Sequence, residues 1–165
     1  MNKSVFIIYI VAIIILDINS VRCVKREEDI KSPLILKNNS SFPIRISFAL
    51  GMKGRSGGFY PDTNLYVENQ YAVSLYPINP GETSAIGGDG SLTSTFKILP
   101  DDTLSVFLYN EDTLTKYDWT TICQEYKIIK RYDFSIEDLK RIKKVIVYPP
   151  SLEMQNIKQY PPYGE

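Results

Sequence analysis

The sequence predicts a mainly β protein, an antiparallel β-sandwich with one or two short helices near its C-terminus. Short stretches that alternate apolar and polar residues recur between clusters of Gly, Pro, Asn and Asp, and such stretches are typical of strands joined by turns. Helical periodicity appears only late, and the regular strand and helix alternation of a parallel sheet is missing. An open α+β sheet is the alternative fold.

The beginning of the chain predicts export. Lys3 supplies a positive charge, and residues 5–16 (VFIIYIVAIIIL) are uncharged and apolar, about as long as the core of a signal peptide. A membrane-spanning helix needs roughly 17 to 25 apolar residues, and Asp17 ends the run well before that length. We therefore expect residues 1–23 to be a signal peptide, and the protein to be periplasmic, outer-membrane-associated or secreted.

Cys23, at the end of this leader, allows two kinds of processing. Val21 and Cys23 are small enough for a general signal peptidase that cleaves after Cys23, which would leave Cys123 as the only cysteine. The alternative is that Cys23 is lipidated as the first residue of a lipoprotein. Arg22 disfavours lipidation, because lipoprotein processing uses a small residue before the cysteine. A structural disulfide is not expected, and an uncleaved leader is a third alternative.

One folded domain is expected after the leader. Residues 24–32 (VKREEDIKS) are charged and nearly free of apolar side chains, which predicts a linker. Residues 33–150 form the predicted β-sandwich domain, a length that supports one hydrophobic core. Residues 151–165, a tail that contains Pro and Tyr, are expected to run over the surface in polyproline geometry.

The strands of the domain are predicted from alternation and turn signals. They occupy residues 34–37, 43–50, 65–76, 92–99, 103–109, 127–134 and 144–148. A polar turn (residues 38–41) joins the first two strands, and a glycine-rich loop (residues 51–58) follows them. Asn79-Pro80-Gly81-Glu82 has the composition of a tight turn, because proline presets φ and glycine tolerates positive φ.

Two short helices are predicted late in the chain. Asp118 is a suitable N-cap, and four following residues recur at helical spacing, which predicts one buried stripe: Trp119, Ile122, Cys123 and Tyr126. Ser135 and Asp138 have the spacing of a capping box before a second helix.

Composition and charge exclude several classes of function. The chain has 19 basic and 19 acidic residues, so no net cationic field attracts nucleic acid or an anionic membrane. Contact with a membrane is expected only through the leader or a lipid anchor. The chain contains no histidine, which removes Ser/His/Asp and Cys/His catalysis and histidine-containing zinc sites. We predict no catalytic residue, no cofactor and no metal site.

Paired carboxylates leave one catalytic alternative, a small hydrolase that works without histidine. Asp101 and Asp102 are the obvious pair. Neighbours on a strand point to opposite faces, however, and a turn after Pro100 explains both residues. Glu27, Glu28 and Asp29 belong to the charged linker.

Binding is the better-supported class of function. Lys53 and Arg55 lie among the glycines of residues 51–58, where backbone N–H groups and cations together can hold an anion. Tyr60 and Tyr66 follow them, and exposed tyrosines stack on sugars and anchor protein interfaces. These four residues are the candidate binding site, with half-buried sheet tyrosines as the alternative interpretation.

Several short motifs recur along the second half of the chain: DTLSVF (residues 102–107), DTL (112–114), YDW (117–119), KIIKRYD (127–133), SIEDL (135–139) and VYPP (147–150). With these motifs the chain resembles a group of uncharacterised small exported proteins of Bacteroidetes, over roughly residues 34–163. The resemblance implies a cell-envelope location and no particular activity. The DTL at 102–104 and the DTL at 112–114 also resemble O-glycosylation sites of Bacteroidetes envelope proteins; Thr113 is the better acceptor, because Thr103 starts a strand.

Together these features predict an exported cell-envelope protein, a non-catalytic binding or structural module whose partner is a protein or a glycan. The histidine-independent hydrolase is the alternative.

Overall fold

The computed structural model describes residues 29–49, 74 and 76–165. In this part the chain forms seven β-strands and four α-helices. In chain order they are β1 (Leu34–Asn38), β2 (Ile44–Ala49), β3 (Thr83–Ile86), α1 (Leu92–Phe96), β4 (Leu104–Asn110), α2 (Glu111–Lys116), α3 (Trp119–Gln124), β5 (Lys130–Phe134), α4 (Ile136–Arg141), β6 (Val145–Tyr148) and β7 (Lys158–Tyr160). Two 3₁₀ turns lie at Pro100–Asp102 and Leu152–Met154.

The strands form two sheets, and the predicted mainly β, sandwich-like fold is confirmed. One sheet has the order β3-β1-β6 and the other the order β2-β4-β5-β7. The four-stranded sheet is antiparallel throughout, but β1 and β6 are parallel, so the prediction of an entirely antiparallel sandwich is wrong for this pair. The short helix α4 follows β5 and places the start of β6 beside the start of β1, where the Ile35 N–H donates to Lys144 O at 2.9 Å.

Both sheets contribute to one main core. Leu36 of β1, Val106 of β4, Phe134 of β5 and Ile146 of β6 are fully buried within it. The predicted alternation of Leu104, Val106 and Leu108 toward this core is confirmed.

The four-stranded sheet is also covered on its second face, which we call the outer face. Phe107 and Tyr109 of β4 point to this face and pack with Ile122 of α3 in a smaller cluster. Strand β4 is therefore buried on both faces. Alternation in the sequence could not show this, because the covering helices come from a later part of the chain.

The structure has more helix than predicted. Four α-helices lie among the described residues instead of one or two, and residues 92–99, predicted as a strand, contain α1. The Ser91 side chain accepts a hydrogen bond from the backbone N–H of Ser94, and Leu92 and Phe96 are both buried at helical spacing. An N-cap and an apolar stripe thus outweigh the β-propensity of the threonines.

The predicted helix caps are confirmed. The Asp118 carboxylate accepts hydrogen bonds from the backbone N–H and the hydroxyl of Thr121, 2.9 and 2.8 Å away, and these bonds lower the Asp118 pKa. Ser135 and Asp138 form the expected capping box. The buried stripe on α3 is only partly confirmed. Ile122 is buried, whereas Trp119, Cys123 and Tyr126 are half-buried, because α3 lies at the surface of a small cluster.

Two turns, one after Asn38 and one at residues 79–82, have the structure that the sequence predicts. Asn38 ends β1, and its buried amide donates to the carbonyl oxygens of Phe42 and Ile78. The backbone N–H of Glu82 donates to Asn79 O at 3.0 Å, and Gly81 has φ +79°, a conformation that costs glycine little. The predicted turn at residues 79–82 is confirmed.

The C-terminal tail belongs to the fold. Lys158 and Tyr160 lie in β7, which pairs with β5, so the expectation of polyproline geometry along the tail is wrong there. The buried Lys130 ammonium donates to Pro161 O and Pro162 O at 2.5 and 3.1 Å. Burial lowers the Lys130 pKa, and the two carbonyl groups compensate by solvating the charge.

The predicted linker also makes contacts with the domain. The Ser91 hydroxyl donates to the Asp29 carboxylate, and Lys31 forms a β-bridge with Ser91. The chain thus reaches β1 past the N-terminal end of α1. Residues 1–28, which include the predicted leader and most of the linker, lie outside the described residues.

We expect Lys143→Gly to stabilise the domain by about 0.5 to 1 kcal/mol. Lys143 follows α4 with φ +52°, a left-handed conformation that disfavours any residue with a Cβ atom. Its N–H donates to Lys140 O, and the N–H of Lys144 donates to Leu139 O, the hydrogen-bond pattern of a helix end that normally uses glycine. Urea unfolding measures the effect, and Lys143→Ala, which keeps the Cβ atom, should give no gain. If the Lys143→Gly protein is no more stable than wild type, the left-handed conformation of Lys143 does not strain the backbone.

Candidate binding surface

The four residues predicted as a binding site, Lys53, Arg55, Tyr60 and Tyr66, lie outside the described residues, as does the candidate lipidation site Cys23. These assignments stay predictions.

The two candidate glycosylation sites lie in different surroundings. Thr103 precedes β4, is half-buried, and donates its hydroxyl to Asp101 O at 2.9 Å. Thr113 is half-buried within α2, next to the exposed Asp112. Glycosylation at either residue stays a prediction.

The carboxylates considered for hydrolysis are explained by turn geometry. Asp101 and Asp102 are both exposed and both have left-handed φ values, 49° and 48°. They form the 3₁₀ turn that follows Pro100, as the sequence predicts. Short polar side chains such as Asp tolerate this conformation better than most residues.

An aromatic surface lies on the outer face of the four-stranded sheet. Its members come from α3, its flanking turns and β7, and we call it the outer aromatic patch: Tyr117, Trp119, Tyr126 and Tyr160. The Tyr126 and Tyr160 rings meet edge to face with centroids 5.3 Å apart. The Trp119 ring packs on buried Tyr109 at 5.9 Å. Tyr160 is 46% exposed, and the other three are half-buried.

Tyr126 is held in a conformation that glycine would adopt at lower cost. It follows α3 with φ +51°. The N–H of Lys127 donates to Ile122 O at 3.0 Å, and the N–H of Tyr126 approaches Cys123 O at 3.4 Å; this pattern usually places glycine at the Tyr126 position. Backbone strain of this kind is retained where the surroundings hold a side chain in place. Here they fix the Tyr126 ring in the patch.

A buried cluster of charged side chains lies beneath the outer aromatic patch and contacts it. Asp133 accepts a hydrogen bond from the Ser105 hydroxyl at 2.7 Å, and its second oxygen lies 3.2 Å from Arg131 Nε. The Asp133 and Arg131 side chains are 1% and 6% exposed. Lys158 Nζ is 3.9 Å from the same carboxylate. On the outer face, Asp133 of β5 is thereby joined to β4 by a hydrogen bond and to the edge strand β7 by charge.

Arg131 connects the cluster to the patch. Its Nη1 donates to the Tyr126 hydroxyl at 2.7 Å. Burial raises the Tyr126 pKa, and the neighbouring guanidinium opposes this shift. The Tyr126 phenol is therefore protonated at neutral pH. Because the phenol oxygen accepts the hydrogen bond from Arg131, the phenol O–H group points away from Arg131.

Cations border the patch at Tyr117. Lys127 Nζ lies 4.3 Å from the Tyr117 ring centroid and Lys116 Nζ lies 5.2 Å from it, distances at which cation–π attraction operates. Lys127 is also paired with Glu125 at 2.6 Å, which raises the Lys127 pKa. The surface thus presents aromatic rings, phenol groups and ammonium groups together.

Sequence reasoning identified part of this surface for a different role. Trp119 and Tyr126 were predicted as core residues. The sequence pattern places Tyr160 in a surface tail and gives no signal that Arg131 and Asp133 belong to a site. The alternation of Arg131 and Asp133 with buried Tyr132 and Phe134 is visible in the sequence. Charged residues in such a pattern usually face solvent, so burial of the pair could not be inferred.

Cys123 is a free, half-buried cysteine beside the patch. Burial raises its pKa, so the thiol stays protonated at neutral pH, which is unfavourable for a nucleophile.

The described ranges contain neither a group of metal-ligating side chains nor a membrane-spanning helix. In residues 29–49, 74 and 76–165, no three His, Cys, Asp or Glu side chains are grouped so that they could share a metal ion. The helices of these same ranges are all too short or too polar to cross a bilayer.

Comparison with known proteins yields no relative: no protein-family model matches the chain, and no curated protein or solved structure does.

Proposed function

We propose that the chain is an exported cell-envelope module that binds a protein or glycan partner without catalysing a reaction, and that the outer aromatic patch is part of its binding surface. The observation that carries this proposal is the pair of tyrosines, Tyr126 and Tyr160, whose rings pack edge to face while Tyr160 stays 46% exposed. Export is inferred from the leader-like residues 1–23.

Rigid aromatic side chains suit recognition for an energetic reason. A tyrosine offers a large apolar face and a hydroxyl group but loses little conformational entropy on binding, because it has few rotatable bonds. Tyr126 has lost this freedom before any partner binds, since Arg131 and the turn after α3 already hold its ring. Preorganisation of this kind raises affinity by reducing the entropic cost of binding.

The surrounding polar groups fit the same role. The Lys116 and Lys127 ammonium groups, near Tyr117, and the Tyr126 phenol can all donate hydrogen bonds to hydroxyl or carbonyl oxygens of a partner. Aromatic side chains are enriched in the anchoring regions of protein interfaces, and aromatic faces also stack on sugar rings.

A binding screen tests the proposal. Glycan arrays and pull-downs from the envelope fraction are performed with the exported wild-type protein. For the partner found, we expect Tyr160→Ala to lower the affinity by about 30-fold, the effect of losing one aromatic anchor. Tyr126→Phe, which keeps the ring and removes the hydroxyl, should have a smaller effect.

Two comparisons sharpen this test. Leu152→Ala removes an apolar side chain that is 70% exposed and lies outside the patch, so it should leave affinity unchanged. Tyr60→Ala and Tyr66→Ala test the site predicted from sequence. If Tyr160→Ala binds with full affinity while Tyr60→Ala and Tyr66→Ala lose affinity, the binding site includes Tyr60 and Tyr66 and not the outer aromatic patch. Failure to capture any glycan or envelope protein would contradict the binding role.

A further inference from the structure

Lys130, the first residue of β5, contacts the chain immediately after Tyr160. Its side chain is buried, and its Nζ donates to Pro161 O and Pro162 O, 2.5 and 3.1 Å away. Pro162 O also accepts a hydrogen bond from the backbone N–H of Glu165 at 3.2 Å, which closes a C-terminal turn. Burial lowers the Lys130 pKa, and the nearby Glu165 carboxylate opposes this shift. The C-terminal turn is thus arranged around one ammonium group.

Strand pairing cannot hold this segment beyond the end of β7. The last residue of β7, Tyr160, is opposite Arg131, and the next two residues are prolines, which have no N–H group to donate to a neighbouring strand. On the side of β5, the N–H of Ile129 already donates to Leu108 O at 2.9 Å. The Lys130 ammonium therefore takes the place of strand pairing after Tyr160.

A strand as short as β7 depends on such an attachment. It has three residues, and chain segments held by few hydrogen bonds open locally at low cost. Tyr160 is the last of the three, and its ring meets the Tyr126 ring edge to face. If the two prolines were released, the Tyr160 backbone would be free on its C-terminal side, and the ring could leave the outer aromatic patch.

We propose that Lys130 is a positioning residue of the outer aromatic patch, which holds the main chain after Tyr160 and so keeps the Tyr160 ring in the orientation that a partner contacts. The inference rests on the proposed binding function. Lys130 is two positions before Tyr132 and shares its face of β5, which points to the main core, so Lys130 itself does not touch the partner. It lowers the entropic cost of binding, because one aromatic side chain is ordered before the partner arrives.

Amide hydrogen exchange of the free protein tests the positioning step without a partner. Lys130→Met keeps a side chain of similar length and removes the ammonium group. We expect the Tyr160 amide to exchange about tenfold faster in this variant, the effect of losing a hydrogen bond to a charged group, and the Tyr132 amide to exchange as in wild type. Far-UV circular dichroism verifies folding, and if Lys130→Met does not fold, Lys130→Gln, which keeps a polar end, takes its place.

Affinity for the partner found in the binding screen tests the consequence for recognition. Lys130→Met should lower the affinity by about two- to tenfold, the cost of ordering one side chain on binding. Added to Tyr160→Ala, it should cause no further loss, because Lys130 acts through the Tyr160 ring. A residue that only stabilised the domain would not show this dependence on Tyr160.

The matched control is Lys37→Met, which removes a lysine charge from an exposed position of β1 and should change neither the exchange of the Tyr160 amide nor the affinity. Unchanged exchange of that amide in Lys130→Met would overturn the positioning role. Faster exchange with unchanged affinity, or a loss that adds to that of Tyr160→Ala, would overturn the role in binding. If no partner is captured, the proposed binding function fails, and the exchange experiment still decides whether Lys130 holds Tyr160 in place.

Discussion

Asp133→Ala is expected to destabilise the domain by about 3 to 5 kcal/mol, the usual cost of breaking a buried ion pair from one side. The Asp133 and Arg131 side chains are almost entirely buried, so removal of the carboxylate leaves the guanidinium without its counter-charge. Ser105 also loses its hydrogen-bond acceptor. Since domains are commonly stable by about 5 to 15 kcal/mol, the variant should lose a large part of its stability and unfold at a clearly lower urea concentration than wild type. Urea unfolding followed by tryptophan fluorescence measures the loss.

The control for this experiment separates charge from packing. Arg131→Met combined with Asp133→Met replaces the pair with apolar side chains, a change that is often neutral or stabilising at buried pairs. The double variant should therefore be more stable than Asp133→Ala alone. Ser105→Ala should cost only about 1 kcal/mol, the net value of one hydrogen bond. If Asp133→Ala unfolds at the same urea concentration as wild type, the ion pair is not buried in solution.

Tyr132→Ala is expected to cost a similar amount, about 3 to 5 kcal/mol, because it empties a large volume in the main core. Tyr132 is fully buried and its ring contacts Phe134, with centroids 5.6 Å apart. Its hydroxyl donates to Val147 O at 3.1 Å and so joins the four-stranded sheet to the three-stranded sheet. Tyr132→Phe keeps the ring and should cost about 1 kcal/mol. Thermal unfolding distinguishes the two variants, and equal losses would show that the hydroxyl and not the ring determines stability.

The dependence of stability on alkaline pH independently tests whether the Tyr132 phenol is buried. Burial raises the pKa values of Tyr132 and Tyr109 well above the ordinary tyrosine value. Below pH ~10 both phenols are neutral in the folded and unfolded states. Above it the unfolded chain loses these protons while the folded chain retains them, so stability falls as pH rises. Tyr132→Phe should show a shallower fall than wild type, and an identical pH dependence would contradict burial of the phenol.

The proposed function depends on residues that pack and bind at the same time. Tyr126 covers the small cluster on the outer face and contacts exposed Tyr160. A variant at Tyr126 therefore changes stability as well as affinity, whereas Tyr160→Ala acts mainly on the surface. For this reason Tyr160 is the more informative position for a binding assay.

Local signals in the sequence predicted local structure well. Asp118 as an N-cap, the capping box of Ser135 and Asp138 and the turn at Gly81 all depend on interactions between residues a few positions apart. The alternation of Leu104, Val106 and Leu108 likewise identified one face of β4. The strand predicted at residues 92–99 was wrong because the cap at Ser91 favoured a helix, and its signal was weaker in sequence than the β-propensity around it.

What the sequence determined by itself was the mainly β class, the position of most strands, the late helices and the absence of histidine chemistry. These follow from composition and from interactions close along the chain. Only the tertiary structure decided that β1 pairs parallel with β6, that β7 completes the second sheet, and that Arg131 and Asp133 are buried together. Each depends on segments far apart in sequence, and the burial of a charge is decided by the segments that pack over it.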